Sequence, residues 1–348
     1  LPVWSLGARW NVHNEPWMQR QNIISDLNFR VSYGWQGNVA ENYGPDLIAR
    51  IGTGNDLIDW RTGEFMLKIQ SLPYENLRWE KTKTINLGTD FGLFQNKVTF
   101  TLEYYYKRTE DMIVAKEVPY AYGVTSMPIN GGNMSNSGIE FSVGMTPIRT
   151  NNFVWTLGLN SSKNFNKVES DITENKNWRA AISGSLNKKG YAVSSFWAFD
   201  FVGLDPELGY PLFNIPSEIE NQEGLSDATT FMKYMGTTEP DFSGGLSTSF
   251  RYKTVTLSTS FNLNIGGKKF LYPMFSEDYV NNSTPSAYAN LPHEMVNRWR
   301  KPGDEKITNI PTIPSRDIPV VYTPGGITEY RHRLYNYSDI RVVNASFL

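Results

Sequence analysis

The stretch Phe242-Ser243-Gly244-Gly245-Leu246-Ser247-Thr248-Ser249-Phe250-Arg251-Tyr252, then Lys253-Thr254, then Val255-Thr256-Leu257-Ser258-Thr259-Ser260-Phe261-Asn262-Leu263-Asn264-Ile265 decides how this chain is read. Phe242, Leu246, Phe250 and Tyr252 alternate with Ser243, Ser247, Ser249 and Arg251. After the turn, Val255, Leu257, Phe261, Leu263 and Ile265 alternate with Thr256, Ser258, Ser260, Asn262 and Asn264. Successive strand side chains point to opposite faces, so two period-two runs joined by a tight turn predict a β-hairpin. Each run is about ten residues, the length a tilted strand needs to cross a bilayer and longer than the usual soluble strand.

Similar runs recur along the chain. Trp4-Leu6-Ala8-Trp10-Val12 is the first and Leu27-Phe29-Val31-Tyr33-Trp35 the second, joined through a connector at Glu15 to Ile24. A long polar stretch from Gln36 to Asn76 leads to Ile85-Leu87-Thr89-Phe91-Leu93, and the turn Phe94–Lys97 to Val98-Phe100-Leu102-Tyr104-Tyr106. A loop is expected from Glu110 to Asn136, then Ile139-Phe141-Val143-Met145, the turn Pro147–Asn152 and Phe153-Trp155-Leu157-Leu159. Trp197-Phe199-Phe201 and a return at Gly209–Phe213 are the weakest strands; Gly266 to Asp339 is the largest loop, and Asn344–Leu348 opens a last strand. That makes about ten strands, an allowed size for a closed barrel, so a self-contained small barrel and a fragment of a larger one both remain open. The strand-like ends favour the fragment.

Short connections fall at Phe94–Lys97, Pro147–Asn152 and Tyr252–Thr254, with long ones at the other ends of the same strands. That asymmetry marks outer-membrane barrels, with short turns at the periplasmic rim. Phe91, Phe94, Phe153, Trp155, Phe250 and Tyr252 lie by the short turns, and Tyr33, Trp35 and Tyr104 to Tyr106 near the long loops, as two aromatic girdles would. A soluble β-sandwich alternates too, but it would put its aromatics mid-strand in a core and have loops of similar length at both ends.

Composition agrees. The 348 residues carry a formal net charge of −2 and no cysteine, which argues against a nucleic-acid surface, a disulfide scaffold and thiol chemistry. No apolar run is long enough for a membrane helix, which says nothing against a barrel, whose strands offer lipid only alternate side chains. No basic leader segment opens the chain.

Several stretches together carry a family resemblance. Ser25 to Gly34 with Gly37-Asn38, Asn76-Leu77-Arg78-Trp79-Glu80 running into Gly88 to Phe94, and Asn130-Gly131-Gly132 through Ser137-Gly138-Ile139-Glu140 come first. Pro240-Asp241-Phe242-Ser243-Gly244-Gly245 and Arg298-Trp299 with Pro302-Gly303-Asp304 follow. In this order they resemble segments of the SusC/RagA-type TonB-dependent outer-membrane transporters, over the whole chain and about the C-terminal third of a family member. The resemblance implies an all-β fold: an antiparallel transmembrane segment of a plugged barrel of about 22 strands. It implies import of oligosaccharides or oligopeptides, energy through TonB, a SusD-like surface lipoprotein as lid, and paired barrels with their lids. The plug and TonB box are expected outside residues 1–348. The family's acidic loop is replaced at Asp205 to Phe213, so no calcium site is expected there.

No catalytic constellation stands out, and neither enzymatic activity nor a cofactor is expected. His13, His293 and His332 are scattered without metal spacing. Gly266-Gly267-Lys268-Lys269 lacks the spacing of a phosphate loop. Asp56/Asp59 and Glu218/Glu220 read as solvated loop charge. Candidate binding residues for cargo or lid are the loop aromatics Trp60, Trp178, Tyr210, Tyr279, Tyr288 and Trp299, whose flat faces suit sugar rings or mixed peptide surfaces. Packing within the loops is their bland alternative. Arg30, Asn86, Asp90, Glu103, Glu140 and Asn262 are expected to face the lumen, and Leu257 the lipid. Active import is the leading expectation, with a non-transporting structural or adhesive barrel and a soluble β-rich carbohydrate-binding module as alternatives.

Overall fold

The computed structural model describes residues 3–38, 46–51, 58–59, 61–171, 176–216, 227–275, 288, 290–314, 320–323 and 327–345. The chain divides into two compact units, residues 1–174 with 188–192 and 243–263, and residues 175–187 with 193–242 and 264–348.

The first unit is built on one eight-stranded antiparallel sheet whose strands lie side by side in chain order. They are β1 (Trp4–Asn11), β2 (Ile24–Asn38), β3 (Glu80–Leu93), β4 (Val98–Glu117), β5 (Ser126–Arg149), β6 (Phe153–Val168), β7 (Phe242–Tyr252) and β8 (Val255–Ile265). The register puts like with like: Val31 opposes Ala8 and Leu87, Leu87 opposes Tyr104, and Tyr104 opposes Ile139. The apolar residues therefore gather on one face and the polar ones on the other.

The apolar face is uncovered. Leu6, Val255 and Leu257 are 73%, 69% and 65% exposed, and Trp10, Phe29, Val31, Leu87, Leu159, Leu246 and Phe261 are exposed as well. A soluble sandwich would close a second layer over such a face to take it out of water. Here its width and continuity suit a hydrocarbon solvent. Its rims are aromatic. Near the short turns Trp155 stacks on Phe250 with ring centroids 5.6 Å apart, and its indole N–H donates to Thr248 at 3.1 Å. At the other end Trp4 packs edge-on to Tyr33, and Trp35 donates to the Tyr33 hydroxyl at 2.9 Å. A ring with an apolar body and one polar atom settles at such a boundary.

The short turns are tight. Phe94, Gln95 and Asn96 adopt φ of 53°, 60° and 60°, a left-handed run unusual for residues with side chains. The Ser25 hydroxyl holds it by accepting from the backbone N–H of Gln95 at 2.6 Å and Asn96 at 3.3 Å. One departure from the alternation of loop lengths is the β1–β2 connector, residues 12–23, which leaves from the short-turn rim and contains a 3-10 turn at Val12–Asn14.

The sequence reading places a loop from Glu110 to Asn136, but the structure keeps most of it in the ladder. β4 runs to Glu117 and β5 begins at Ser126. Charge takes over from apolar alternation there: Lys83 and Arg108 reach Glu110 at 3.5 and 3.2 Å, and Arg78 and Lys81 reach Asp111 at 2.6 and 3.2 Å. A bulge absorbs the register shift between Thr109 and Met112, with Asp111 at φ 59°. Within the polar stretch from Gln36 to Asn76, Ile48–Ile51 and Leu67–Ser71 form a further antiparallel pair.

Three of the expected strands, at Trp197–Phe201, Gly209–Phe213 and the C-terminus, belong to the second unit. Ser195–Phe199 pairs with Met232–Thr237, and Phe201–Leu204 with Pro211–Phe213. All five residues of Ser195–Phe199 are buried, so this strand has no solvent face to alternate with. The unit has its own core, in which Met274, Phe275, Met295 and Tyr335 are closed over by Phe201, Phe213, Leu291, Ile310, Ile313 and Tyr330. The buried Asn336 amide ties it together, accepting from the N–H of Met274 and Phe275 and donating to Phe275 O at 2.7 Å. Near the C-terminus Val342–Asn344 pairs with Lys268–Phe270, so the expected last strand starts two residues early; 346–348 lie outside the described residues. The Gly266-Gly267 pair is a left-handed turn, φ 87° and 75°, leading into that strand and not into a helix.

Candidate functional site

The polar face of the sheet carries the predicted wall residues. One cross-strand row reads Arg30, Gly88, Glu103, Glu140, Ser162 and Ser243, and the next Asn28, Asp90, Thr101, Ser142, Asn160 and Gly245. Gly88 lies under the Arg30 side chain, where a Cβ would come within 3.2 Å of the guanidinium. Its bareness lets Arg30 stretch over the neighbouring strand, donating to Glu103 at 2.7 Å and to Asp90 at 3.1 Å. Asp90 also accepts from the Thr101 hydroxyl at 3.2 Å. Asn86 donates to Ser32 at 3.2 Å in the row above. Asn262 shares the face of Ser258, whose hydroxyl meets Ser249 at 2.9 Å, opposite to that of Leu257.

Glu140 sits directly opposite Glu103, and like charges in that position repel. Arg30 answers only the first of them; among the described residues the Glu140 carboxylate has no ion-pair partner. A polar hollow of about 360 Å³ opens beside it, lined by Thr101, Glu103, Glu140, Ser142, Asn160 and Ser162. Such a surface can hold water, a polar solute or a basic side chain. It is not a core.

The loop aromatics fall into three groups. Trp60 and Tyr279 lie outside the described residues. Trp178 and Trp299 are buried, at 4% and 6% exposure. The Trp178 ring opens a short helix capped by Asn177 and packs against Phe199 and Tyr337 at 5.6 and 6.0 Å. Trp299 is held by its backbone N–H, which donates to Ile310 O, and its ring lies over Gly209, whose φ of 70° and missing Cβ make room for the indole. Their ring faces are taken up by protein, the packing alternative. Tyr210 and Tyr288 remain. Tyr210 is half-buried with the Arg331 guanidinium 5.3 Å from its ring centre, and burial followed by the charge of Asp205 pushes its phenol up. Tyr288 is 97% exposed.

The departure at Asp205 is a closed turn: its carboxylate accepts from the N–H of Glu207 and Leu208. Among the described residues no three His, Asp or Glu gather as a metal set. His13 pairs with Asp26 at 2.8 Å, and His332 is buried with Nε2 2.9 Å from Thr312 O.

Sequence reasoning missed one cluster. In the hairpin Ile48–Ile51/Leu67–Ser71, Arg50 and Lys68 are direct cross-strand partners. They line a polar groove of about 680 Å³ with Gln70 and residues 123–126, beside the β4–β5 tip and its exposed tyrosines Tyr120 and Tyr122. The alternation Leu67-Lys68-Ile69-Gln70 was the available signal, submerged in a stretch otherwise read as loop.

Comparison with known proteins agrees with this geometry. The sequence model of a family described as "TonB dependent receptor-like, beta-barrel" matches residues 2–291. The chain is 26% identical over 362 aligned positions to TonB-dependent receptor P3 of Formosa agariphila, covering 97% of this chain and 34% of that protein. It is 28% identical over 306 positions to TonB-dependent receptor SusC of Bacteroides thetaiotaomicron, covering 82% and 29%. In fold it is similar to the RagAB peptide transporter structure, with a TM-score of 0.71 at 21% identity over 99% of this chain and 35% of that one. The chain thus spans about a third of the length of the relatives it matches.

Proposed function

The chain belongs to the TonB dependent receptor-like β-barrel family, and from that premise we propose that it is the C-terminal part of the wall of an outer-membrane importer of bulky nutrients. In this reading the plug and TonB box are supplied by the rest of a longer protein. A SusD-like lipoprotein closes over the long loops, and transporter–lipoprotein pairs associate in twos. The cargo class is oligosaccharides or oligopeptides; of the two, the name of the RagAB peptide transporter speaks for the second. The relatives are named as receptors and a transporter, and no enzymatic activity is proposed.

The observation that carries the reading is the two-sided sheet. One face holds exposed leucines, valines and aromatics between aromatic rims; the other holds Arg30, Asp90, Glu103, Glu140 and Asn262. Backbone groups in hydrocarbon must all be paired, which a continuous antiparallel ladder achieves along its length. The polar face then lines a wet interior, where Glu140 and its hollow are available to the plug or to passing cargo.

The test is genetic and biochemical together. Deleting the full receptor should abolish uptake of one class of oligomer, removing TonB should do the same, and the receptor should co-purify with a surface lipoprotein from outer-membrane fractions. A receptor found in the outer membrane whose loss alters adhesion or envelope integrity, with uptake unchanged, would support the structural barrel instead.

A further inference from the structure

Several cations of the sheet and its flanks are answered by carboxylates: Arg30 by Asp90 and Glu103, Arg78 and Lys81 by Asp111, and Lys83 and Arg108 by Glu110. Arg50 and Lys68 are not. They face each other across the Ile48–Ile51/Leu67–Ser71 ladder, exposed, and among the described residues neither has a hydrogen-bond or ion-pair partner. Two like charges held opposite each other on an exposed hairpin weaken it, unless an anion lies between them.

Their surroundings are built for an occupant. The groove of about 680 Å³ adds the Gln70 amide and the hydroxyls of Thr125 and Ser126. Gly123 turns at φ 79° beside Ile69, with 3.4 Å between the place of a Cβ and Ile69 Cδ1. In the turn that leads directly into Gly123, Tyr120 and Tyr122 are 85% and 56% exposed. Flat rings beside hydroxyl and amide partners suit sugar rings, and the paired cations suit an acid group carried on them.

We propose that this groove binds an acidic oligosaccharide, with Arg50 and Lys68 sharing a carboxylate or sulfate while Tyr120 and Tyr122 support neighbouring rings. This rests on the import reading and narrows its cargo. It also makes Arg50 and Lys68 specificity-determining, since a neutral glycan would leave their repulsion in place.

The experiment uses the full receptor in lipid nanodiscs and titrates it calorimetrically with three probes of matched length: oligogalacturonate, its methyl ester and oligoglutamate. The expected result is binding of oligogalacturonate alone, weakening as salt is raised, and reduced about tenfold or more in Arg50→Gln and in Lys68→Gln. Both residues are exposed, and folding of the variants is checked by heat-modifiable mobility on gels. A sulfated oligosaccharide of the same length, run beside the carboxylated one, tells the two acid groups apart. Equal binding of the methyl ester, preference for oligoglutamate, or no binding of either acidic glycan overturns the inference, as does unchanged affinity in both variants. Uptake of radiolabelled cargo separates the layers: acid-dependent binding without TonB-dependent uptake removes the import reading and leaves the site. Uptake that is indifferent to both substitutions, with no acidic binding, removes the site and leaves the import reading.

Discussion

Ser249 and Ser258 share a hydrogen bond of 2.9 Å between their hydroxyl oxygens across the Lys253-Thr254 turn. The pair pins the register of the last hairpin, and with it the face each neighbour takes: Ser258 toward the polar side, Leu257, 65% exposed, toward the other. Leu257→Arg should then destabilise the folded barrel by about 2–4 kcal/mol, and Ser258→Arg by much less. Folding titrations of the full receptor into lipid measure both; equal penalties would contradict the assignment of faces.

Arg30 holds Glu103 and Asp90 together, yet the three side chains are 38%, 42% and 27% exposed, so water screens the contact. A double-mutant cycle on Arg30→Gln and Glu103→Gln should give a coupling of about 1 kcal/mol or less. A coupling of several kcal/mol would mean that this face is dry.

Gly209 carries a positive φ beneath the Trp299 indole. Gly209→Ala should cost the second unit about 1–3 kcal/mol through backbone strain alone, with steric conflict added. Hydrogen exchange over residues 298–312 reads it. In Trp299→Ala, which removes the ring, the added cost of Gly209→Ala should shrink to the strain alone.

Burial holds the pKa of His332 down to about 4, against an ordinary 6.5. Between those values the unfolded chain takes up a proton that the folded chain refuses, so stability falls as pH falls through this window. The loss levels out below the lower value at about 3 kcal/mol. Exchange protection of the helix Arg331–Tyr335 should follow that curve, and His332→Gln should flatten it.

Much of the sheet was legible because its two faces meet different solvents, which writes period two into the residues; the hairpin from Phe242 to Ile265 needed nothing else. The mutual contact of Arg30, Asp90 and Glu103 was not legible. Each was expected on the polar face, but what joins them is register between strands 60 and 73 residues apart, which leaves no local trace. The outer halves of β4 and β5 were missed for a related reason: Arg108, Glu110 and Asp111 are held by ion pairs with Glu169, Lys83, Arg78 and Lys81, and charge runs look like loop. Ser195–Phe199 erred the other way, since a strand buried on both faces has the composition of a membrane strand without its alternation. Trp178 and Trp299 show the limit of reading aromatics by type, because a ring offered to sugar and a ring filling a core are spelled alike.

β4 and β5 have 20 and 24 residues, where a tilted strand needs about 9–11 to cross the hydrocarbon. At about 3.3 Å per residue the surplus stands some tens of ångströms clear of the bilayer as a hydrogen-bonded post, braced at its bulge by Arg78 on Asp111. Whatever docks at its crown meets a surface already set in place, so little freedom is forfeited on contact and recognition can be fast and shallow.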